Sequence, residues 1–227
     1  MSTQSESTIS PKIAKKILEV FPEGAVFFDL ETTGLSPLFE RIVEFAGIRV
    51  TKKGVQIFQT LLNPEREMSE RIIGIHGITN EMTSKAPLES EVTPEIIEFI
   101  GDLPLIAHNA KFDIGFLNSE LKRLKMPVID ITKTIDTVQL AREKIPGAAA
   151  SLDALCKRFD IDLSIREKHG ALLDAKLLAE VYLELTGGRQ ASLSLIQEKK
   201  ITSIIVTNER KVVGALNIHD LFRAGLM

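Results

Sequence analysis

Four acidic residues and a histidine occur in three short, well-separated segments of this 227-residue chain. The segments are Phe28–Leu35 (FDLETTGL), His108–Asp113 (HNAKFD) and His169–Asp174 (HGALLD). Carboxylates that are brought together repel one another, so a fold that gathers them commonly does so to hold divalent cations. The three segments therefore predict a metal site and a hydrolytic reaction that uses it.

The spacing within each segment predicts where the side chains point. Asp29 and Glu31 are two residues apart at the end of an apolar, strand-like stretch, so both should project to one face. Asn109 and Asp113 are four residues apart at the start of an expected helix, which predicts that they share a helix face. Asp174 falls in the first turn of another expected helix, where the helix dipole favours a carboxylate.

Phosphodiester hydrolysis is the reaction that these groups suit. It requires an attacking hydroxide, stabilisation of extra negative charge and support for the leaving oxygen, and two cations roughly 3.5–4 Å apart supply all three. Carboxylate oxygens are the ligands that Mg²⁺ and Mn²⁺ prefer. His169 lies on a loop ahead of Gly170 and titrates near neutral pH, so it is placed to accept the proton of the attacking water.

Each residue alone also has an ordinary structural interpretation. An acidic pair at a strand end is usually part of a solvated turn, and His108 before Asn109 fits a helix cap. A single histidine such as His169 is more often a surface residue than a base, and Asp174 alone is a common first-turn acid. The functional interpretation depends on all of them occurring in one ordered set.

Hydrophobic periodicity and cap signals predict the elements that position these residues. In chain order these are a helix over 11–20; strands over 25–30, 42–50 and 55–62; a helix from Thr93; a strand over 103–107; a helix to about 125; a strand over 134–138; and helices from Ser151 and over 171–185. Thr93 is expected as the N-cap and Pro94 as the first helical residue. Three strands in series, followed by alternating helix and strand, predict an α/β fold with a mixed sheet and helices on both faces.

The last forty residues have a separate pattern of helix, strand, strand and helix, with strands expected over 202–207 and 212–217. The predicted organisation is a polar leader with a short helix (1–21), a main α/β domain (22–188) and a small appendage (189–227).

Composition is that of a soluble globular protein, with 44% hydrophobic and 26% charged residues. The formal net charge of −3 argues against a protein that coats long stretches of DNA, which needs a basic surface. A lone Cys156, no signal-peptide pattern and no apolar run of membrane-spanning length predict a cytoplasmic protein.

The three acidic segments resemble, in order and content, the exonuclease motifs of the DEDDh group, whose fold is ribonuclease-H-like. Within that group, His76–Ile78, Ser151–Cys156 and His169–Gly188 resemble the proofreading epsilon subunits of bacterial DNA polymerase III, and the likeness extends over about residues 22–195. The resemblance implies a mixed five-stranded sheet. It also implies a 3′→5′ exonuclease that uses Mg²⁺ or Mn²⁺ to trim single-stranded DNA ends to nucleoside 5′-monophosphates during replication.

The resemblance also implies a role for each matching residue. Asp29, Glu31 and Asp174 would bind the tightly held metal ion, and Asp29 would bridge to a second ion that Asp113 holds, with His169 as the general base. The residues that would line the site of the terminal nucleotide are Thr32, Leu35, His76, Asn109 and Phe112. For Leu35 and Phe112, a place in the apolar core is an alternative.

The C-terminal stretch carries two further resemblances. The segment Gln190–Leu195 (QASLSL) is similar to the peptide that docks on the bacterial sliding clamp, with Gln190 as the polar contact and Leu193 and Leu195 in an apolar pocket. A helix start with a core-facing leucine pair is the alternative. Residues 201–221 resemble the second half of a CBS motif, which implies dimerisation or packing and departs from the usual polymerase-binding tail.

Two rival functions follow from these departures. The first is a free-standing DNA-repair or RNA-trimming exonuclease of the same group, since the catalytic residues do not distinguish DNA from RNA. The second is a module that senses a nucleotide or tethers the chain through its C-terminal stretch.

Overall fold

The computed structural model describes residues 9–164, 170–187, 203–208 and 211–217. The chain divides into two compact units, Met1–Leu185 and Thr186–Met227. Among the described residues, no helix combines the length and apolar character that crossing a membrane requires. The expected limits of the leader at 21 and of the appendage at 189 stay predictions.

The first unit is built on a five-stranded mixed sheet in the order β3-β2-β1-β4-β5. The strands are β1 Ala25–Thr32, β2 Ile42–Thr51, β3 Gly54–Leu61, β4 Leu105–Ala107 and β5 Thr134–Asp136. The first three form an antiparallel meander, and β4 and β5 add to it in parallel. The α/β fold class and its mixed sheet of five strands, flanked by helices, are thereby confirmed.

Helices cover both faces of this sheet. They are α1 Pro11–Val20, α2 Glu70–His76, α3 Asn80–Ser84, α4 Glu89–Ile100, α5 Ala110–Arg123, α6 Thr137–Lys144, α7 Leu152–Phe159 and α8 Ala171–Leu185, and a 3₁₀ turn spans Ile131–Lys133. The expected helices over 11–20 and 171–185 have these bounds. The first follows from its cap, because Ser10 accepts a hydrogen bond from the Ile13 amide and Pro11 opens the helix.

The alternation of β1 divides the core in two. Val26, Phe28 and Leu30 pack with residues of α4 and α5 on one face of the sheet. Ala25 and Phe27 pack with residues of α1 and α8 on the other. By the same alternation, the odd-numbered residues at the end of β1 lie on the face that α8 covers.

The expected helix start at Thr93 and Pro94 is wrong. Helix α4 begins at Glu89, and Pro94 lies in its interior. The cap lies earlier, where the Leu88 amide donates to the Glu91 carboxylate (2.9 Å). A Thr-Pro pair has the local chemistry of a helix start, but burial of Val92 extends the helix past the proline.

Three short helices have no counterpart among the expected elements: α2, α3 and α6. Each is capped by a side-chain oxygen, from Ser69, Thr79 and Asp136 respectively. The expected strand over 134–138 therefore ends at Asp136, because the carboxylate of Asp136 accepts the Val138 amide and starts α6. Helices of five to eight residues are too short for their hydrophobic periodicity to distinguish a helix from a strand.

The second unit contains an antiparallel pair of strands, β6 Ser203–Asn208 and β7 Lys211–Asn217, with an irregularity between Val206 and Thr207. Two strands were expected here, within a residue or so of these bounds. The expected helices on either side lie outside the described residues.

Candidate active site

Strand β1 delivers two carboxylates at its C-terminal end. Asp29 and Glu31 follow Phe27 on one face of the strand, and Phe27 contacts Tyr182 of α8 with ring centroids 5.8 Å apart. Strand β4 pairs with β1 only at Val26 and Phe27, so the acidic end of β1 extends beyond it. The two carboxylates therefore share one face of β1, as the two-residue spacing predicts, and lie where β4 no longer pairs with the strand.

Helix α8 brings a third carboxylate to this place. Asp174 is buried in its first turn, where its amide donates to the Gly170 carbonyl (3.0 Å). The helix start is held by Glu44 of β2, whose carboxylate accepts the Ala171 amide (3.2 Å) and the Gln59 side-chain amide (2.8 Å). Glu44 thereby fixes the position of the turn that carries Asp174.

Helix α5 supplies a fourth carboxylate from the other side of the sheet. Asp113 is buried in the first turn of α5, and its carboxylate is hydrogen-bonded to the backbone of Leu30. The expectation that Asn109 shares its helix face is wrong. Asn109 is the N-cap with a left-handed backbone (φ 69°), which takes it out of the helical register.

A cavity of about 300 Å³ opens between these elements, and we call it the acidic pocket. Its lining consists of Asp29, Leu30, Glu31, His108, Ser151, Leu152, Asp153 and Asp174. Three of the predicted metal-binding residues therefore face one space. Asp113 is adjacent, since its charge acts on Asp29.

Burial and nearby like charges both perturb the carboxyl group of Asp29. Asp29 is half-buried, and desolvation by the surrounding protein raises its pKa well above the ordinary value. The charges of Asp113, Asp174, Glu31 and Glu44 raise that pKa further. A positive charge in the acidic pocket would offset both effects.

Burial likewise raises the pKa of Asp113, and the charges of Asp136 and Glu31 add to the shift. Hydrogen bonds from the backbone of Asp113 itself and of Leu30 oppose it. Buried acids that remain charged need a compensating cation, and the donors here are all carboxylate oxygens, which suits Mg²⁺ or Mn²⁺.

The donor set fits such ions in its chemistry, whereas its geometry is not that of a closed site. Across the described ranges, no three His, Cys, Asp or Glu side chains stand close enough together to hold an ion as they are placed. Binding a cation would therefore draw the carboxylates inward.

Comparison with known proteins identifies the family. The exonuclease family RNase_T matches residues 26–182. The chain belongs to this exonuclease family. The DNA polymerase III subunit epsilon of Rickettsia felis is 45% identical over 190 residues, which cover 81% of this chain and 83% of that protein. The Escherichia coli K12 subunit epsilon is 40% identical over 186 residues, which cover 76% and 75% respectively.

A solved structure of another exonuclease is also similar to this chain. Exonuclease X, in a complex with 5′-overhanging duplex DNA, is similar with a TM-score of 0.56 and 28% identity, over 74% of this chain and 95% of that chain. The chain is a 3′→5′ exonuclease of the epsilon type, and the predicted DEDDh resemblance is confirmed.

None of the residues expected to contact the terminal nucleotide lines the acidic pocket of the exonuclease. Thr32 is buried and donates to the Gly34 carbonyl (2.7 Å), whereas Leu35 is 84% exposed. His76 is buried at the end of α2, where its Nδ1 accepts the Ile78 amide (3.0 Å). Their role in binding stays a prediction.

Phe112 bears out part of its alternative interpretation. Its ring lies 4.9 Å from that of Phe116 and packs against the core beneath α5. Leu35, in contrast, does not join the core. The exonuclease presents Leu35 to solvent on the loop that follows β1, and its contact with substrate stays a prediction.

Several predicted residues of the exonuclease lie outside the described residues: His169, Gln190, Leu193 and Leu195. Conversely, sequence reasoning did not assign His108, Ser151, Asp153 or Glu44 to the site. His108 and Ser151 were interpreted as caps, and Asp153 belongs to a motif that was noted only for its resemblance. Glu44 had one usable signal, since it is the one acidic residue in a mainly apolar strand.

Proposed function

We propose that the exonuclease removes nucleotides from the 3′ end of single-stranded DNA and releases nucleoside 5′-monophosphates. The observation that carries this proposal is the convergence of Asp29, Glu31 and Asp174 on one pocket, with Asp113 beside them. Four carboxylates from three elements have no structural use that offsets their mutual repulsion. A cation-assisted reaction on a phosphodiester gives them one.

The four carboxylates are proposed to hold two Mg²⁺ or Mn²⁺ ions. Asp29, Glu31 and Asp174 would ligate one ion, and Asp29 with Asp113 the other. Bound there, the ions supply a nucleophile at neutral pH and neutralise charge on the reacting phosphate. Burial of Glu31, Asp113 and Asp174 restricts their rotamers, which limits the movement needed to bring these ligands onto the ions.

Proton transfer is assigned to His169. It precedes α8 by two residues, next to the turn that carries Asp174. An imidazole titrates close to neutral pH and can take a proton from the attacking water. Replacement of His169 by a residue without a titratable side chain would leave the carboxylates intact but remove that acceptor.

Replication proofreading is the proposed setting. The relatives are named as subunits of DNA polymerase III, which favours action beside a polymerase catalytic subunit over a free-standing repair or RNA-trimming role. The Gln190–Leu195 segment is proposed as a contact with the sliding clamp. The stretch that resembles half a CBS motif is proposed to pack or to form a homodimer.

The test is trimming of a labelled single-stranded DNA oligonucleotide in the presence of Mg²⁺. We expect Asp29→Asn and Asp174→Asn each to lower kcat/KM by about 10³-fold or more. Each substitution removes a negative charge that holds a cation, and a bound cation stabilises the transition state by several kcal/mol. Asp102→Asn is the matched control, since Asp102 is exposed at the end of α4. Full trimming by Asp174→Asn would refute the proposal.

A further inference from the structure

A second cleft adjoins the acidic pocket. It has a volume of about 630 Å³, against about 300 Å³ for the acidic pocket, and its walls come from the first turn of α5, from α6 and from the residues before α7. His108 and Ser151 line both cavities. The two spaces are therefore neighbours, and a chain that leaves the acidic pocket past these residues would enter the second cleft.

The charge of this cleft is opposite to that of the acidic pocket. Lys111 of α5 and Arg142 of α6 line it, and both are exposed. Within the part of the chain that the structure describes, neither lies at ion-pair distance from a carboxylate. The first residues of α5 thus present Lys111 to the cleft and bury Asp113 beside the acidic pocket.

One carboxylate also lines the cleft, but it is engaged. An oxygen of Asp136 accepts the Asn109 amide (3.1 Å) and the Val138 amide (2.8 Å), so it caps α6 and orders the approach to α5. Neither Lys111 nor Arg142 forms an ion pair with Asp136 in the described part of the chain, so both side chains remain available to an anion from solution. We call this space the cationic cleft.

We propose that the cationic cleft binds the phosphates of the substrate strand on the 5′ side of the scissile bond, with Lys111 and Arg142 as the contacts. This inference rests on the proposed function. A strand whose 3′ end occupies a pocket lined by carboxylates is repelled there, and positive groups beside the pocket offset that repulsion. The chain has a net charge of −3, so local cations rather than the overall field must hold the strand.

Two substrates distinguish the cationic cleft from the acidic pocket. One is an eight-nucleotide oligothymidylate, and the other is the 4-nitrophenyl ester of thymidine 5′-monophosphate, which has no nucleotide on the 5′ side. We compare kcat/KM on the octamer with kcat/KM on the ester as a ratio. In Lys111→Gln and in Arg142→Gln, we expect this ratio to fall about tenfold, mainly because KM for the octamer rises. Loss of one phosphate contact should also lessen the salt dependence of log KM by about 0.7.

Two controls accompany this comparison. Lys53→Gln changes the same charge at the β2–β3 turn and should keep the wild-type ratio, since Lys53 is exposed outside both cavities. Lys111→Arg keeps the charge and should restore most of the ratio.

Either of two results would overturn the cationic cleft. One is a wild-type ratio in the Lys111→Gln, Arg142→Gln double variant, and the other is a parallel loss on both substrates, which would place the residues in the chemistry of the acidic pocket. If the wild-type protein, with Mn²⁺ or Mg²⁺, cleaves neither substrate, the proposed function itself fails.

Discussion

Glu89 is a buried carboxyl group that joins the start of α4 to the start of β2. It accepts the Ile42 amide (3.1 Å) and lies 3.7 Å from Arg41 and 3.6 Å from Arg123. Burial nevertheless raises its pKa from 4.5 to about 8, and a hydrogen bond with Glu120 adds to the shift. Desolvation and the second acid therefore outweigh the arginines, and Glu89 is largely protonated in the fold at neutral pH.

This environment predicts a pH-dependent stability. A carboxyl whose pKa is higher in the folded state contributes stability that is fully present below its unfolded pKa and is lost as pH rises through the folded pKa. For Glu89 that window runs from about 4.5 to about 8. Raising the pH from 5 to 8.5 should lower the unfolding free energy of both the wild type and Glu89→Gln. We expect the decrease to be larger in the wild type, by on the order of a few kcal/mol.

Urea denaturation at several pH values measures this difference. Glu67→Gln is the control, because Glu67 is exposed and should follow the wild-type profile. Identical pH profiles for the wild type and Glu89→Gln would show that Glu89 is charged in the folded protein.

Helix α8 depends on a contact that no local sequence pattern encodes. Its first amide, from Ala171, donates to Glu44, which faces Glu31 across the β1–β2 ladder. A hydrogen bond to a charged acceptor is worth about 1.5–3 kcal/mol, and without it the turn that carries Asp174 is free to fray. Glu44 is thus a positioning residue for the acidic pocket.

The corresponding prediction concerns Glu44→Ala and Glu44→Gln. The alanine variant should lower the unfolding free energy by on the order of 2 kcal/mol and kcat on single-stranded DNA about tenfold, with KM little changed. The glutamine variant keeps an acceptor for the Ala171 amide and should recover most of kcat. If both variants lose kcat equally, the charge of Glu44 matters and its hydrogen bond to α8 does not.

At the level of elements, local signals predicted well where one residue decides the outcome. Ser10 with Pro11 starts α1, and Gly187 (φ +127°) follows the end of α8, where a glycine with positive φ is common. The predicted helix start at Pro94 was wrong because burial of the surrounding helix outweighs the hydrogen bond that proline cannot donate. The acids Asp29, Glu31 and Asp174 were found because spacing and segment order show them, but Glu44 and His108 reach the site only through tertiary contacts.

At the scale of the whole molecule, negative and positive side chains line two separate, neighbouring cavities. The acidic pocket gathers negative groups, and the cationic cleft beside it presents Lys111 and Arg142. Under the proposed function, the substrate strand enters once cations are bound. With a net charge of −3, affinity for long DNA should be weak without a partner protein. Polymerase or clamp binding would then supply the substrate end at high local concentration.

The central claim is that Asp29, Glu31, Asp113 and Asp174 together hold divalent cations. Calorimetric titration of the full chain with Mn²⁺ tests it without any substrate. We expect about two ions per wild-type chain, the same for Asp102→Asn, and loss of the tighter ion in Asp29→Asn and Asp174→Asn. Without metal, both site variants should melt no lower than the wild type, because each removes one of several mutually repelling charges. Unchanged Mn²⁺ binding in Asp29→Asn and Asp174→Asn would contradict the account.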